Sequence, residues 1–349
     1  MQTQKTVYVG LSGGVDSSVS AALLKEQGYH VVGVYMKNWS RDLPGYPCPW
    51  KEDYQDAKRV AVQLGIEFKM FDFEKDYFNL VVQYMLDGFT AGITPNPDIM
   101  CNQEIKFKLF LNAALQQGAD FIATGHYAQV KNGQLYMAED ANKDQTYFLY
   151  RITKQALSKT LFPVGHLTKP QVRVLAKKYK LVTAVKKESM GICFVGKVGI
   201  KEFLQQFLPP QPAGDVLNQY NMKIGLHDGA VFYTIGQRHG LNLGGGLPYY
   251  VTGKDLSKNQ VFVTTDLDDQ KLWSAEATLS SVHWIDQKPA EDAKVLVRFR
   301  HRAALVPAVV HYVGKNANLL LEQPVRALTP GQSAVIYVGN ECLGGGVVS

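Results

Sequence analysis

The chain has 349 residues, of which 46% are hydrophobic and 19% are charged. This composition is typical of a globular protein of two or three domains. No apolar run reaches the roughly 18 residues that a membrane-spanning helix requires. The first residues also lack the charged and apolar regions of a secretory signal, so we expect a cytoplasmic protein with no membrane partner.

The four cysteines are Cys48, Cys101, Cys193 and Cys342. None has CxxC or zinc-finger spacing, and a cytosolic chain of this size is not expected to depend on disulfides. A cysteine without special surroundings is usually a small buried hydrophobic residue. We therefore expect Cys48 to be structural and Cys342 to lie in a β-domain core.

The net charge is +6, and its distribution is uneven. The segment from Arg151 to Lys187 contains ten Lys or Arg and no Asp or Glu. Such a bias is typical of a surface that binds a phosphate backbone, but a solvated helix face has the same composition. Composition alone leaves both interpretations open.

In chain order, KTVYVG predicts a buried strand, followed by a glycine turn and a helix that stops at Gly28. Further strands are predicted at VVGVYMKNW, IEFKMFDF and FIATGHYA, and further helices at DYQDAKRVAVQLG and FKLFLNAALQQGAD. Strands that alternate with helices and are apolar on both faces are typical of a parallel α/β sheet.

The pattern changes after about residue 205, where PPQPAGDV interrupts it. Short strands with glycine turns follow, and from about residue 270 the chain consists mostly of alternating strands. This second pattern predicts a small β-barrel or sandwich. We therefore expect three parts: an α/β domain over residues 1–205, a small connector domain over 206–269 and a β domain over 270–349.

The segment SGGVDSS, residues 12–18, lies between the first strand and the first helix. Glycines let the backbone approach an anion, and a helix N-terminus attracts negative charge. The lysine of a Walker A loop is missing, and Asp16 would repel phosphate unless it holds Mg²⁺ or caps the helix. The motif closely resembles the SGGxDS signature of the ATP pyrophosphatase (PP-loop) family, whose members transfer AMP to an oxygen and release pyrophosphate.

The segment TPNPDIMCNQEIKF displays Asn96, Asp98 and Cys101 ahead of a helix predicted to begin near Glu104. A cysteine near a helix N-terminus and beside Lys106 tends toward the thiolate form. We therefore expect an accessible, activated thiol at Cys101 rather than a buried structural one.

The segment KKESMGICFVG places Cys193 between glycines, shortly after two lysines. These surroundings also favour an accessible, activated thiol. The two cysteines are 92 positions apart, so we expect that a segment around Cys193 must move to bring them together.

These blocks closely resemble the bacterial tRNA-specific 2-thiouridylases. Matching segments also occur at ATGHYA, KDQTYFLY, LFPVGHLTKPQVR, YTIGQRHGL and PGQSAVIYVGNECLGGG, in the same order over essentially the whole chain. The resemblance implies an α/β fold, in which an adenine-nucleotide α-hydrolase-like PP-loop domain precedes the connector and a C-terminal β-barrel. It implies an enzyme that uses ATP and Mg²⁺ to replace the C2 oxygen of the wobble uridine, position 34, with sulfur. The implied substrates are the tRNAs for Lys, Glu and Gln, and the sulfur comes from a persulfide donor or carrier protein.

The resemblance also assigns site residues. Those matching the ATP site are Gly10, Leu11, Ser12, Gly13, Gly14, Val15, Asp16, Ser17, Met36 and Gly125. Those matching tRNA contacts are Asn96, Pro97, Asp98, His126, Lys143, Asp144, Gln145, Arg298, Phe299, Arg300 and Gln332, the first three at the target base. Cys101 matches the family's nucleophile and Cys193 the carrier of the persulfide sulfur. We expect Asp98 to serve as general acid or base and Asp16 as a contact of Mg²⁺.

The sequence RFRHR gives independent support for RNA binding. If it forms a strand, Arg298, Arg300 and Arg302 share one face, and such a row suits backbone phosphates. A solvated strand face is the alternative. Extruding a base for chemistry is also less costly in a single-stranded anticodon loop than in a duplex.

Three routes for the sulfur-transfer step stay open. Either the Cys193 persulfide attacks C2 directly, or Cys101 attacks the persulfide, forms a Cys101–Cys193 disulfide and releases hydrosulfide. Cys101 attack on C2 itself is a further route. Competing functions are another PP-loop adenylating enzyme, such as the tRNA 4-thiouridine enzyme or an amidotransferase-linked synthetase, and a non-catalytic RNA-binding protein that kept a nucleotide fold.

Overall fold

The computed structural model describes residues 4–187, 198–241, 243–244, 246 and 248–349. Its strands, in chain order, are β1 (Thr6–Gly10), β2 (His30–Lys37), β3 (Glu67–Asp72), β4 (Phe121–Ala123), β5 (Gln129–Lys131), β6 (Gln134–Tyr136), β7 (Thr160–Leu161), β8 (Gly214–Leu217), β9 (Lys223–His227), β10 (Tyr250–Asp255), β11 (Gln260–Thr264), β12 (Trp273–Trp284), β13 (Ala293–Arg298), β14 (Val306–Val313), β15 (Asn316–Arg326), β16 (Ser333–Val338) and β17 (Glu341–Val348).

The helices are α1 (Val15–Glu26), α2 (Trp50–Leu64), α3 (Glu74–Tyr77), α4 (Gln83–Thr90), α5 (Pro97–Met100), α6 (Leu111–Gln116), α7 (Lys154–Leu157), α8 (Lys169–Lys178) and α9 (Ile200–Leu204). The π-helical segments Phe78–Val82 and Cys101–Phe110 join α3 to α4 and α5 to α6. Local chemistry sets several ends: α2 stops at Gly65, whose φ of 59° is left-handed, and α8 starts with a Thr168–Gln171 capping box.

The first part of the chain forms a five-stranded parallel sheet in the order β3-β2-β1-β4-β7. Nearly every residue of β1 and β2 is buried, because helices cover both faces of these inner strands, whereas the edge strand β3 is mostly half-buried or exposed. The prediction of a parallel α/β domain is confirmed. Within the predicted strand FIATGHYA only Phe121–Ala123 is extended, and the rest is a loop at the sheet edge.

The middle part forms a four-stranded sheet in the order β10-β11-β8-β9. The last part forms an eight-stranded sheet in the order β12-β15-β14-β13-β16-β17-β6-β5, and pairing of β12 with β17 closes the six C-terminal strands into a barrel. Of the predicted alternatives, the barrel is confirmed. The β5–β6 hairpin belongs to the first domain in sequence yet pairs with β17, where Cys342 lies opposite Leu135.

Hydrophobic cores run across the three parts. One cluster joins Phe107 and Phe110, on the helix packed against the parallel sheet, to Val335 and Tyr337 of the barrel. A second joins helix residues such as Tyr77 to strands of the middle sheet. The predicted limits at residues 205 and 269 stay predictions. No helix among the described residues is long and apolar enough to cross a membrane.

Candidate active site at the edge of the parallel sheet

The SGGVDSS loop connects the end of β1 to the start of α1. Gly14 is the N-cap of α1, and no side chain caps the helix, so its first amides are available to an anion. The Ser12 and Ser17 hydroxyls lie 3.2 Å apart, and the Ser18 hydroxyl donates to the Gly14 carbonyl at 2.7 Å. The serines therefore hold the loop in shape.

Asp16 is paired with a lysine from a distant part of the chain. Lys169, at the start of α8, donates to both carboxylate oxygens of Asp16 at 2.7 and 2.8 Å, and the Tyr127 hydroxyl donates to one of them at 2.9 Å. The Lys169 side chain is 13% exposed and that of Asp16 is 29% exposed. A cation thus stands beside the phosphate loop although the loop has no lysine, and Asp16 does not cap the helix.

Close backbone contacts assemble the rest of the loop. Gly13 has a φ of +73°, and a Cβ there would lie 2.5 Å from the Asp53 carbonyl oxygen in α2. A Cβ at Gly125 would lie 2.5 Å from the backbone nitrogen of Ser17, and one at Gly10 would lie 2.9 Å from the Met36 side chain. The structure therefore brings Gly10, Met36 and Gly125 together with the loop, at the carboxyl ends of β1, β2 and β4, where open α/β sheets bind ligands.

The segment with Asn96, Pro97, Asp98 and Cys101 is helical earlier than predicted. Asn96 is the N-cap of α5, its side-chain oxygen accepts a hydrogen bond from the Asp98 amide at 3.1 Å, and Pro97 is the first helical residue. Both residue types are favoured at those positions. The predicted start near Glu104 is therefore wrong.

Because the helix begins at Pro97, Cys101 lies in its second turn and faces the core. The Cys101 side chain is fully buried, in a cluster with Tyr77, Val81 and Ile105. The prediction of an accessible thiol is wrong in this structure, and the role of nucleophile stays a prediction. The same helix packs at the nucleotide loop, because a Cβ at Gly10 would lie 3.7 Å from the Phe110 ring.

His126 lies in the loop after β4. Its Nδ1 is 2.8 Å from the Thr124 hydroxyl and its Nε2 is 3.4 Å from Lys106 Nζ. Burial, and then the charge of Lys106, lower the pKa of His126 well below its usual value. A neutral imidazole between the loop and the Cys101 helix can offer a hydrogen bond to a nucleotide without adding charge.

The KDQ segment, residues 143–145, ties the first domain to the barrel. The Asp144 carboxylate is buried and accepts hydrogen bonds from Arg298 at 2.5 Å and from the Thr146 hydroxyl at 2.8 Å. Gln145 and Tyr127 exchange two hydrogen bonds of 2.9 Å. Lys143 is half-buried beside them.

The predicted row of arginines does not form. Strand β13 ends at Arg298, and Arg302 lies in a turn with a φ of +64°, so the three arginines do not share a strand face. Arg298 is buried against Asp144, and the Phe299 ring lies in the barrel core. Arg300 donates to the Ala327 carbonyl at 2.8 Å. The reason is that the chain must reverse direction before β14.

Gln332 reaches across from the barrel to the segment just before Asn96, which was predicted to contact the target base. Its side-chain nitrogen donates to the Thr94 carbonyl at 2.6 Å, and the Thr94 amide donates to the Pro330 carbonyl at 2.9 Å. The residue that Gln332 contacts, Thr94, is therefore only two positions before Asn96 in the sequence.

Cys193 lies outside the described residues, and its predicted role stays a prediction. On one side of it, Lys186 donates to Asp53 at 2.8 Å and to Asp56 at 2.6 Å. Burial lowers the pKa of Lys186, but the bonds to the two carboxylates outweigh burial and raise it overall. On the other side, Val198 is buried in the same cluster as Cys101.

The acid-free segment from Arg151 to Lys187 is explained in part by partners elsewhere in the chain. Four of its lysines form ion pairs with acidic residues outside the segment. The pairs are Lys154 with Asp286, Lys169 with Asp16, Lys178 with Glu26, and Lys186 with both Asp53 and Asp56. These ion pairs account for part of the charge of the segment, and its interpretation as an RNA-binding surface stays a prediction. The other two cysteines are as expected: Cys342 is buried in the barrel, and Cys48 is half-buried, where burial raises its pKa.

Sequence reasoning missed Lys169, Tyr127 and Asn38. The first two partner Asp16, and only the structure shows this because they are distant in sequence. Asn38 follows β2 at the sheet edge; it is 1% exposed, and neither polar atom of its side chain has a hydrogen-bond partner in the part of the chain that the structure describes. An asparagine at the end of a buried strand is the signal that could have identified it.

Comparison with known proteins gives a consistent result over the whole chain. Residues 5–197 match the model of the tRNA methyl transferase HUP domain, residues 201–265 the tRNA methyl transferase PRC-barrel domain and residues 274–348 the aminomethyltransferase beta-barrel domain. Among solved structures, a 4-thiouridine synthetase in complex with RNA and ATP aligns with 58% of this chain and 50% of that one, at 16% identity and a TM-score of 0.38.

Curated relatives are much more similar. The tRNA-specific 2-thiouridylase MnmA of Bacillus subtilis is 49% identical over 98% of this chain and 94% of the relative. That of Lacticaseibacillus paracasei is 48% identical over 98% of this chain and 93% of the relative. With the PP-loop geometry and the three matched domains, these identities show that the chain belongs to the tRNA-specific 2-thiouridylase family.

Proposed function

We propose that this protein is a tRNA-uridine 2-sulfurtransferase that activates the C2 oxygen of the wobble uridine, position 34, with ATP and replaces it with sulfur. The proposed substrates are the tRNAs for Lys, Glu and Gln, which the enzyme would modify in the cytoplasm. The observation that carries the proposal is that Phe110, nine residues after Cys101 in the same helical segment, packs against Gly10 at the end of β1. A nucleotide and a sulfur nucleophile would thus meet at one sheet edge.

The residues present fit ATP. The uncapped start of α1 and the close approach of Gly125 to Ser17 leave a cradle that a Cβ would fill. Bound there, ATP supplies an α-phosphoryl centre that makes the C2 oxygen a leaving group. Lys169 is placed to balance the charge of bound phosphates, and its movement from Asp16 to a phosphate would free the Asp16 carboxylate. Mg²⁺ is usually held by one or two carboxylates together with phosphates, and we assign that contact to Asp16.

The target base is proposed to bind at the start of α5. Asn96 and Pro97 fix this turn, and Asp98 would exchange a proton with the base as it reacts. His126, Lys143 and Gln145 come from the loops beside it, and Gln332 reaches it from the barrel through Thr94. A single-stranded anticodon loop lets the uridine leave its stack at low cost.

Sulfur is proposed to arrive as a persulfide on Cys193, delivered by a donor or carrier protein. The Cys101 thiolate attacks the Cys193 sulfur, the two cysteines form a disulfide, and hydrosulfide leaves. Hydrosulfide adds to C2, AMP departs with the C2 oxygen, and an external dithiol then reduces the disulfide. The position of Val198 supports this route. Val198 is five residues after Cys193 and is buried in the same cluster as Cys101. Five residues span at most about 18 Å, which limits the distance between the two cysteines.

The direct test incubates tRNA with the enzyme, ATP, Mg²⁺ and a persulfide donor, and measures 2-thiouridine at the wobble position by mass spectrometry. Cys101→Ala and Cys193→Ala are expected to abolish the product, while Cys193→Ala keeps ATP binding. Cys48→Ser is the matched control, because Cys48 is outside the proposed site, and it should retain the wild-type rate. Thiolation at the normal rate by a Cys193→Ser enzyme would refute the sulfur route.

A further inference from the structure

A cavity of about 90 Å³ lies where the barrel meets the middle domain. Two arginines of the barrel line it, Arg300 after the end of β13 and Arg326 at the end of β15, together with Thr329 and Gln332. The connector forms one side of the junction, because a Cβ at Gly236 would lie 3.4 Å from Arg300 Nη2 and 2.5 Å from the Ala327 side chain. The lining residues of the cavity therefore all come from the barrel, and the connector packs beside them at Arg300 and Ala327.

The two guanidinium groups are held by neutral partners only. Arg300 Nη2 donates to the Ala327 carbonyl at 2.8 Å and lies 3.4 Å from the Thr329 hydroxyl. The Arg326 guanidinium carbon lies 5.6 Å from the centre of the Tyr250 ring. Across the described ranges, no carboxylate oxygen comes within 4.0 Å of either group. Among the described ion pairs, the buried Arg298 nearby does have such a partner.

Two cations that share a cavity without a carboxylate repel each other. Burial, and to a smaller degree the charge of Arg326, lower the pKa of Arg300. A phosphate oxygen pair between the two groups would remove this repulsion, and arginine is the side chain best shaped to bind phosphate through two parallel hydrogen bonds.

The cavity is connected to the target-base segment. Gln332 lines the cavity and also donates to the Thr94 carbonyl at 2.6 Å, two residues before Asn96. Two residues span at most about 7 Å. A nucleic acid strand whose base enters at Asn96 would therefore carry its neighbouring backbone past Arg300 and Arg326.

We propose that Arg326, together with Arg300, binds a backbone phosphate of the tRNA within a few nucleotides of the target uridine. This inference rests on the proposed function. The contact would position the anticodon loop and would carry no base specificity, because phosphate contacts are independent of sequence.

The test compares Arg326→Gln with Lys315→Gln. Arg326 ends β15, and Lys315 lies in the turn just before the same strand begins, so the two exposed charges lie at opposite ends of one strand. Each variant removes one positive charge. Filter binding of the wild-type tRNA substrate to the full chain is measured between 50 and 200 mM salt.

We expect Arg326→Gln to weaken binding about five- to tenfold and to reduce the slope of log K against log salt by about 0.7 to 0.9. Lys315→Gln should leave both unchanged. Arg326→Lys, which keeps the charge without the planar fork, should recover the slope but only part of the affinity. Equal binding by Arg326→Gln and Lys315→Gln, with melting temperatures equal to wild type, would overturn the inference.

A second measurement locates the phosphate. Anticodon stem-loops carry one neutral methylphosphonate at a time, at each position around the target uridine. At one position the neutral linkage should weaken the binding of the stem-loop to the wild-type enzyme but not its binding to Arg326→Gln. If no position behaves this way, the inference is wrong even if the enzyme thiolates tRNA. Failure of the wild type to bind or thiolate tRNA would instead refute the proposed function, and this inference with it.

Discussion

The buried pair of Asp144 and Arg298 allows a sharp test of what holds the barrel on the first domain. Arg298→Met keeps the length of the side chain and removes its charge. Asp144 is 2% exposed, so it would keep its negative charge in the core with only uncharged donors, such as the Ala138 amide at 3.1 Å. Removing one partner of a buried pair costs about 3–5 kcal/mol.

Part of that cost is offset. The Nε of Arg298 is buried without a partner among the described residues, and losing such an orphan group recovers about 1–3 kcal/mol. The net loss is then about 2 kcal/mol, which for a chain of this size lowers the melting temperature by roughly 3 °C. Arg302→Met, four residues further on and exposed, is the matched control and should melt like the wild type.

The measurement is thermal unfolding of the full chain, followed by salt-dependent tRNA binding at 20 °C. Asp144→Asn combined with Arg298→Met should be less destabilising than the sum of the two single changes, because the uncompensated charge is gone. If Arg298→Met melts at the wild-type temperature, the claim that the Asp144–Arg298 pair stabilises the fold is refuted. A reduced salt slope at unchanged stability would show instead that Arg298 contacts a tRNA phosphate.

Three other predictions follow from the site. Lys169→Met should reduce tRNA-dependent pyrophosphate release about tenfold or more. The control Lys154→Met breaks an exposed ion pair and should keep the wild-type rate. Equal rates for the two variants would show that Lys169 does not act at the nucleotide site. Gly125→Ala should weaken ATP binding, measured by calorimetry, because the added Cβ meets the backbone of Ser17. Gly244→Ala, which has open space around it, should bind ATP like the wild type. Equal ATP affinities for the two variants would contradict the proposal that the backbone at Gly125 and Ser17 forms the ATP site. The lowered pKa of His126 means that its stabilising contribution is present above the usual value of 6.5 and is lost as the pH falls toward the lower folded value; His126→Gln should flatten the fall in unfolding free energy below pH 6.5, and parallel curves would disprove this.

The sequence was sufficient for features that depend on neighbouring residues. The buried strand, the glycine loop and α1 are consecutive, so local hydrophobicity and helix-start signals located the nucleotide loop. Met36 and Gly125 were placed through family resemblance, and the structure brings both to the loop. Alternating strands also predicted the barrel.

The misses depend on contacts between distant residues. The strand prediction at Arg298 failed because β-propensity cannot show that Asp144 takes the guanidinium into the core or that the chain turns there. The basic segment was ambiguous because its acidic partners lie up to 153 residues away. The helix start was placed too late, near Glu104, because the Asn96 N-cap and the Pro97 first turn were not recognised, although both residue types are favoured at those positions.

The three domains are fixed around one site, and this narrows where motion can occur during catalysis. The β5–β6 hairpin pairs with β17, Asp144 binds Arg298, and Gln332 binds Thr94, so the barrel and the base-binding segment form one continuous set of contacts. A tRNA held by the barrel would therefore present its base at a defined place. Cys101 is buried in this structure, so the proposed sulfur transfer would require its thiol to become accessible. The chain between Lys186 and Val198 carries the other cysteine, and both of its flanks are anchored, one at α2 beside the nucleotide loop and one in the Cys101 cluster.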